Sequence, residues 1–466
     1  MTTKLLLVSA DGHSGGPPDE YRDYLEARYH ADLDALIPLH ESWAANSVAQ
    51  RRFGADTLDL IDRDGAIRGG GELGAYDLDR RLAELDREGV ACEVLIPGHQ
   101  EALLPFFSHT SLASTREQRA AGARAYHRRT ADWMADAGGR LVGIGEPGPC
   151  TDLDETIAEM RWIADHGFVG IAPPGNIADL DLPGLHDPRY EPFWQACVEL
   201  GLVVTLHAGY GFPQQVDQVL EFMAAVTQQH GPEEFLKQSM MASADAANRS
   251  IDQFPKDSST RLGITAPRRI FWQLMLAGVF DRYPDLKLVF TEVRGDWVPD
   301  TLDVLDRHFS GRHSGADLAL SPREYWHRHV YVAPSSPRRY EIAMREAIGV
   351  DRFMFGMDYP HPEGTWPNTR EWIRDSFVGV SEADARLILG ENAVECYGLD
   401  RAALDAIAQR IGPEADDLLG DQAVDERIVA QFHLRSGYLR PREQVDAEWY
   451  GEMIAADEAA VAAHAT

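Results

Sequence analysis

The sequence has few cysteines for its length. Its 466 residues include four cysteines, at positions 92, 150, 197 and 396, and none of them is part of a C-x-x-C pair. Sparse cysteines without such spacing indicate free thiols in a reducing compartment. We therefore expect neither a disulfide framework nor a cysteine-based metal site.

Basic residues are also scarce. Lysine and arginine together number 44 against 75 aspartates and glutamates, which gives a formal net charge of −31. This charge repels phosphate backbones and anionic lipid, so neither nucleic acid nor a membrane surface is an expected partner. An acidic surface commonly serves solubility, and a cationic substrate is the alternative explanation.

Long apolar runs and several common catalytic motifs are absent. No apolar stretch approaches the roughly 18 residues of a membrane span, and the run before Asp11 is too short for a secretion signal. The sequence contains no P-loop, no G-x-S-x-G and no H-E-x-x-H. We expect a soluble cytoplasmic protein that acts on a small molecule.

Short apolar runs typical of buried strands recur along the chain, and most are separated by segments with helical periodicity. This alternation predicts parallel strands joined by helices, and eight such runs match a (β/α)₈ barrel, the TIM barrel. The runs are Leu5–Ala10, Ala91–Pro97, Leu141–Gly145, Val169–Ala172, Leu202–His207, Leu286–Glu292, Val330–Val332 and Arg352–Asp358.

Three segments are too long to be simple connections. Residues 14–76 follow the first predicted strand and residues 208–267 follow the fifth, so both insertions leave the mouth of the predicted barrel and are expected to cover it. The barrel is expected to comprise residues 1–398. Residues 399–466 form a helical C-terminal arm that packs on the barrel or on a second subunit.

Acidic and imidazole side chains stand at the ends of four predicted strands. Asp11 and His13 follow the first, His207 closes the fifth, Glu292 closes the sixth and Asp358 closes the eighth. Each has an ordinary explanation on its own: a turn, a core histidine or a helix cap. In a parallel barrel, however, all these strand ends meet at the C-terminal mouth, where they can hold one divalent metal ion.

Several motifs carry a resemblance to a known family, and it covers roughly residues 4–398. The chain resembles the amidohydrolase-related family typified by aminocarboxymuconate-semialdehyde decarboxylase and the resorcylate decarboxylases, a branch of the metal-dependent hydrolase superfamily. The matching stretches are Gly167-Phe168-Val169-Gly170-Ile171, His186-Asp187-Pro188, Val204-Thr205-Leu206-His207-Ala208-Gly209, Phe280-Asp281-Arg282-Tyr283-Pro284-Asp285-Leu286-Lys287-Leu288-Val289-Phe290, Phe355-Gly356-Met357-Asp358-Tyr359-Pro360-His361 and Glu391-Asn392-Ala393.

The resemblance implies a metal site and a catalytic set. The metal-binding [His/Glu/Asp]-x-His motif of the family falls on Asp11 and His13, its strand-five histidine on His207 and its strand-eight aspartate on Asp358. Glu292 stands where the family has a catalytic histidine. That carboxylate can move a proton, serve as a further metal ligand or hold Arg294.

Three functions are compatible with this set. The first is a metal-dependent hydrolase, in which a metal-activated water attacks an amide, lactone or related carbonyl bond and Asp358, Glu292 or His361 transfers protons. The replacement of the family histidine by Glu292 favours this interpretation. The alternatives are a non-oxidative decarboxylase of an aromatic or unsaturated carboxylic acid, and an inactive metal-binding scaffold.

Three further residues are candidate substrate contacts. His99 ends the second predicted strand and either binds substrate or caps a helix; Arg294 binds a substrate carboxylate or pairs with Glu292 or Asp296. Trp272 is a candidate substrate contact, although its apolar neighbours equally indicate core packing. The donors predict Zn²⁺, with Mn²⁺ or Fe²⁺ as alternatives. We expect a homodimer or larger homo-oligomer.

Overall fold

Seven parallel strands form the centre of the protein. The computed structural model describes residues 4–35, 37, 54–98, 115–175, 182–208, 210, 249, 251–256, 258–310, 318–420 and 422–464. The strands are adjacent in chain order. They are β1 Leu7–Ser14, β2 Val90–Pro97, β3 Leu141–Gly145, β4 Phe168–Ile171, β5 Val203–Leu206, β6 Leu288–Thr291 and β7 Val330–Ala333.

The predicted eighth strand closes the ring without becoming a regular strand. Its residues form isolated parallel bridges on both sides, from Phe353 to β7 and from Tyr359 to β1. The backbone N–H of Met354 donates to the Val332 carbonyl in β7, and the N–H of Ala10 in β1 donates to the Phe355 carbonyl. The segment 353–359 therefore completes a TIM-barrel-like fold, but no continuous ladder forms.

The first strand differs from its predicted bounds. We expected it to end at Ala10, but β1 continues to Ser14 and includes Asp11 and His13. Gly12 and His13 still pair with Leu95 and Ile96 of β2 after a register shift. The polar residues extend the strand because their backbone groups complete the pairing with β2, and all eight residues of β1 are buried.

Helices surround the sheet, as the periodicity predicts for a parallel barrel. Their starts carry capping side chains: Asp77 and Asp152 accept backbone N–H groups of the helices that follow them, and Thr115 forms a capping box with Gln118. The α-helices are Ala55–Ile61, Leu78–Glu88, Arg116–Asp136, Leu153–Ala164, Glu191–Leu200, Ser259–Leu276, Val279–Arg282, Val298–Phe309, Pro322–His329, Arg339–Ala343, Arg345–Ile348, Thr369–Ser376, Glu382–Arg386, Asn392–Tyr397, Arg401–Ile411, Ala415–Leu419, Glu426–Ser436 and Ala447–His464.

The last four described helices lie in the predicted C-terminal arm, and two buried carboxylates of this arm contact the barrel. Glu443 accepts two hydrogen bonds from the buried Arg268 at 2.6 and 2.9 Å. Asp457 accepts the indole N–H of Trp272 at 2.8 Å. The arm therefore lies against the barrel helix Ser259–Leu276. Its separation from residues 1–398 as a unit stays a prediction.

The two predicted insertions are only partly described. Residues 14–76 include short 3₁₀ segments and the helix Ala55–Ile61, whereas most of 208–267, including its predicted helical piece, lies outside the described residues. Among the described helices, none combines the length and apolar character that crossing a membrane requires.

The buried Glu88 generates a prediction about the pH dependence of stability. Its side chain accepts the Thr369 N–H at 2.8 Å, and burial raises its pKa from 4.5 to about 7. A raised folded-state pKa contributes stability below about pH 4.5 that is lost as the pH rises through about 7. Glu88→Gln should remove this loss, which amounts to at most about 3 kcal/mol.

Urea unfolding of the wild type and Glu88→Gln between pH 4.5 and 8 measures the difference. The variant should gain on the wild type as the pH rises. Asp79→Asn, an exposed change on the same helix, should follow the wild type. Parallel pH profiles for Glu88→Gln and the wild type would contradict the prediction.

Candidate metal centre

Five candidate residues meet at the C-terminal mouth of the barrel. Asp11 and His13 lie on β1, and since they are two residues apart their side chains leave the same face of the strand. His207 directly follows β5, Glu292 directly follows β6, and Asp358 lies in the closing segment beside β1. Because all strands run in the same direction, these positions share one end of the barrel.

The first cluster contains two imidazoles and two carboxylates. One possible ligand atom from each of Asp11, His13, His207 and Glu292 lies within 4.8 Å of the others. His207 Nε2 is 2.7 Å from Glu292 Oε2 and 3.9 Å from Asp11 Oδ1. The rings of His13 and His207 meet edge to face at 4.9 Å.

A second cluster shares His13 with the first. His13, Asp358 and His361 also place their possible ligand atoms within 4.8 Å of one another. Asp358 Oδ1 is 3.3 Å from both His13 Nε2 and His361 Nδ1, and the two imidazole rings stack at 4.0 Å. His13 Nε2 is also 3.6 Å from Asp11 Oδ1. One ion beside His13 can therefore be approached by donors from both clusters.

The electrostatics of the clusters favour a bound cation. Burial raises the pKa of Asp11 to about 7, and burial together with the charges of Asp11 and Glu292 holds the pKa of Asp358 well above its usual value. Burial alone would lower the pKa of His207, but Glu292 and Asp11 raise it to about 9. Crowded carboxylates of this kind are stabilised by positive charge, which a divalent ion supplies.

The donor set fits a divalent metal. Both carboxylate oxygens of Asp358 and Oδ1 of Asp11 are fully buried and accept no hydrogen bond from any residue that the structure describes. Buried carboxylate oxygens without donors carry a large desolvation cost, which metal coordination removes. Imidazole nitrogens and carboxylate oxygens together suit Zn²⁺, Mn²⁺ and Fe²⁺.

The backbone around the clusters is strained. Glu292, Arg294, Ser336 and Asp358 have left-handed φ values of 58°, 60°, 52° and 59°. Such values cost a non-glycine residue roughly 1–3 kcal/mol each, and they concentrate where the surrounding structure enforces a functional geometry. All four residues follow β6, follow β7 or lie in the closing segment.

Ser335 is a site residue that sequence reasoning missed. Its hydroxyl donates a short hydrogen bond to Oδ2 of Asp11, from a position shortly after β7. The bond restrains the Asp11 carboxylate so that the other oxygen, Oδ1, faces the histidines. The pair Ser335-Ser336 at the end of the seventh predicted strand was the available sequence signal, since the other site residues also stand at strand ends.

The three predicted substrate contacts have different outcomes. His99 lies outside the described residues. Arg294 is partly buried just beyond Glu292 and makes no ion pair in the described part of the chain, although its charge opposes the burial that raises the pKa of Asp296 to about 7. Trp272 is completely buried, packs on Tyr450 and donates to the C-terminal arm, so the structure does not bring it to the metal clusters.

The chain belongs to the amidohydrolase family. The family model for amidohydrolases matches residues 107–399, which is more than half of the chain and includes β3 to β7 and the closing segment. His207, Glu292, Asp358 and His361 lie inside the matched range. Membership agrees with the resemblance expected from the sequence motifs and with the TIM-barrel-like fold.

The relatives similar to this chain include aromatic acid decarboxylases. Gamma-resorcylate decarboxylase from Polaromonas sp. (strain JS666 / ATCC BAA-500) is 26% identical over 139 residues, 28% of this chain and 39% of that protein. The chain therefore aligns with well under half of that curated relative. The structure of 5-carboxyvanillate decarboxylase from Sphingomonas paucimobilis matches with a TM-score of 0.55 and 20% identity, over 85% of this chain and all of that one.

A second solved structure adds a metal to the comparison. A variant of 5-carboxyvanillate decarboxylase from Novosphingobium aromaticivorans, with bound manganese and 3-methoxy-4-hydroxy-5-nitrobenzoic acid, matches with a TM-score of 0.56 and 18% identity. The match covers 85% of this chain and 98% of that one. At this level of identity the likeness shows the shared fold.

Substitution of Asp358 tests the metal centre. Asp358→Asn keeps the size of the side chain but removes its charge. Loss of a residue that only hydrogen-bonds a metal ligand lowers metal affinity roughly 10- to 100-fold, and loss of a ligand should lower it further. The fold should survive, because barrel stability rests on interior packing and outer helices. Metal content and thermal melting of the same preparation measure both effects.

Two further variants accompany this experiment. His207→Ala should also lose metal and remain folded. Asp375→Asn is the matched control, because Asp375 is a buried carboxylate that binds Arg339 and Tyr438 away from the clusters. It should lower the melting temperature without a change in metal content. Full metal occupancy in a folded Asp358→Asn protein would refute the assignment.

Proposed function

We propose that this protein is a metal-dependent, non-oxidative decarboxylase of a small aromatic carboxylic acid. The observation that carries the proposal is the convergence of Asp11, His13, His207 and Asp358 at the mouth of an amidohydrolase barrel. The similarity to gamma-resorcylate and 5-carboxyvanillate decarboxylases supports the reaction class. It favours the decarboxylase alternative over the hydrolase that the sequence suggested first.

Manganese is the metal that we propose for the site. Three carboxylates and two imidazoles form an oxygen-rich donor set, and carboxylate oxygens suit Mn²⁺ better than they suit the softer metals. The manganese in the Novosphingobium aromaticivorans structure supports the same choice. Asp11, His13, His207 and Asp358 would hold the ion, with Glu292 beside His207. When bound, the ion supplies Lewis acidity that draws negative charge toward substrate oxygens.

Decarboxylation requires a proton at the carbon atom that loses CO₂. The bond between the ring and the carboxylate breaks, its electron pair stays on the ring carbon, and a proton takes the place of the CO₂. Asp358 can hold that proton on a carboxylate oxygen that faces the site. His361, whose Nδ1 is 3.3 Å from Asp358 Oδ1, can return a proton to Asp358 between turnovers.

Glu292 lies against the same ring nitrogen of His207 that faces the clusters. Its Oε2 lies 2.7 Å from His207 Nε2, so the contact with the imidazole, rather than one with Arg294, is the interaction that the geometry favours. The other ring nitrogen, Nδ1, faces the Ala208 carbonyl at 3.2 Å, so Glu292 approaches the nitrogen that faces the clusters and would become a further ligand or a base beside the ion. Arg294, just beyond it and without an ion pair in the described residues, is the candidate group for an anionic substituent of the substrate.

Hydrolysis is the second candidate function, and Glu292 is the observation that favours it. A carboxylate at the end of β6 can act as a general base or acid for water attack on an amide or lactone. Both candidates use the same residues and the same ion, so the products distinguish them.

A substrate panel tests the reaction class. The purified protein with Mn²⁺ is offered hydroxybenzoates with a hydroxyl beside the carboxylate, including 2,6-dihydroxybenzoate and 5-carboxyvanillate, together with amides and lactones. We expect CO₂ release from at least one hydroxybenzoate and its loss in Asp358→Asn. Turnover of an amide or lactone without CO₂ would overturn the proposal in favour of hydrolysis. Metal binding without any turnover of the panel would favour a scaffold.

Substitution of Glu292 tests its role. Glu292→Gln removes the charge beside His207, and loss of proton transfer or ligand orientation should lower kcat about 10²- to 10⁴-fold. Glu292→His introduces the histidine that the family has at this position, and this variant should retain more activity than Glu292→Gln. The kcat values of both variants at saturating Mn²⁺ measure this. Wild-type kcat in Glu292→Gln would exclude a role for the carboxylate in the chemical step.

A further inference from the structure

A buried arginine contacts both segments that carry the candidate ligands His13 and Asp358. Arg81, in the helix Leu78–Glu88, has no exposed surface. Its Nη1 donates to the backbone carbonyl of His13 at 2.7 Å, and its guanidinium lies 5.0 Å from the ring centre of Tyr359, the residue after Asp358. The guanidinium of Arg81 therefore contacts the backbone of His13, one candidate ligand, and the ring of Tyr359, which follows Asp358, another candidate ligand.

The remaining contacts of Arg81 fix the guanidinium plane. Its Nε donates to Glu93 Oε2 at 2.8 Å, and its Nη2 lies 2.6 Å from the same oxygen. Its Nη1 also donates to the Gly74 carbonyl at 2.9 Å. Glu93, on β2, is completely buried as well. Planar multidentate contacts of this type are specific to arginine, and a lysine ammonium cannot reproduce them.

Glu93 also shapes the strand that carries Asp11 and His13. A Cβ atom built on Gly12 would overlap the carboxylate of Glu93, so the strand approaches Glu93 with glycine alone between the two candidate ligands. On its other side, the N–H of His13 donates to the Tyr359 carbonyl at 2.7 Å, and the N–H of Asp358 donates to the Asp11 carbonyl at 2.8 Å. The two segments that carry the candidate ligands are thus hydrogen-bonded to each other, and both contact Arg81.

We propose that the Arg81–Glu93 pair is a positioning unit that sets the distance between His13 and Asp358 for metal binding. The inference rests on the proposed metal centre and adds two residues that contact neither the ion nor the substrate. The physical reason is that a metal site requires ligand atoms placed to within a few tenths of an ångström, and outer partners supply that restraint. The pair acts through backbone and ring contacts, so its loss should weaken metal binding more than folding.

Arg81→Lys is the primary test. It retains the positive charge beside Glu93 but loses the simultaneous contacts with His13, Gly74 and Glu93, so the dissociation constant for Mn²⁺ should rise about 10- to 100-fold. Titration with Mn²⁺ against a competing chelator measures the constant, and thermal melting of the metal-free protein measures the fold. At saturating Mn²⁺ the variant should recover kcat in large part, which a catalytic residue would not allow.

Arg268→Lys is the matched control. The Arg268–Glu443 pair is equally buried and equally short, at 2.6 Å, but it joins a barrel helix to the C-terminal arm. This variant should lower the melting temperature and leave the dissociation constant for Mn²⁺ within about twofold of the wild type. An equal loss of affinity in Arg81→Lys and Arg268→Lys would overturn the inference, since both losses would then reflect general destabilisation.

Glu93→Gln tests the same positioning role if the Arg81→Lys variant does not fold. The amide keeps the size of the side chain under Gly12 but weakens its hold on Arg81, and the dissociation constant for Mn²⁺ should rise about tenfold. Wild-type affinity in either folded variant would overturn the inference and leave the metal centre intact. Failure of the wild type to bind Mn²⁺ would refute the metal centre and the inference together.

Discussion

The common direction of the strands is the constraint on which the site depends. Because the sheet is parallel and closed by the segment 353–359, residues separated by about 350 positions in the chain end at one mouth. The same constraint forces the carboxylates of Asp11, Glu292 and Asp358 together, and their mutual repulsion raises the cost of the fold. A bound cation would offset that repulsion. The same crowding of carboxylates that lowers the stability of the metal-free mouth therefore increases its affinity for a metal ion.

Two buried arginines elsewhere in the described residues are compensated within the chain, in contrast to the carboxylates of the mouth. Arg268 is held by Glu443 and Tyr450, and Arg81 is held by Glu93 and two backbone carbonyls. Asp358, by contrast, has oxygens that accept no hydrogen bond from the described residues. The strained backbone at Asp358 also indicates a functional position, because a strained conformation persists where surrounding contacts enforce it. Buried oxygens without hydrogen-bond donors and a strained backbone therefore occur together at Asp358, as a functional constraint predicts.

Sequence reasoning could predict the parts of the fold that follow local periodicity. The barrel and the joint placement of Asp11, His13, His207 and Asp358 followed from polar residues at the ends of apolar runs. The irregular eighth segment could not be predicted, since its hydrogen bonds alternate between β7 and β1. Ser335, which contacts Asp11 over 324 positions, and Arg81 depend on tertiary contacts that leave no spacing pattern. Trp272 fulfils the core alternative that its apolar neighbours indicated.

The burial of the mouth bears on which reaction the site can support. Hydrolysis needs water as a reactant, whereas decarboxylation needs only a proton delivered to a ring carbon. Asp358 is fully buried and His361 is 9% exposed, so the proposed proton donor is shielded and its neighbour stands nearer the solvent. Water near the aromatic ring of the substrate would compete with the substrate oxygens for the cation. It would also stabilise the charged substrate carboxylate and so oppose loss of CO₂. A shielded Asp358 with His361 beside it therefore agrees with the proposed protonation of carbon, whereas His207 and Glu292, with side chains 25% and 26% exposed, stand closer to the solvent.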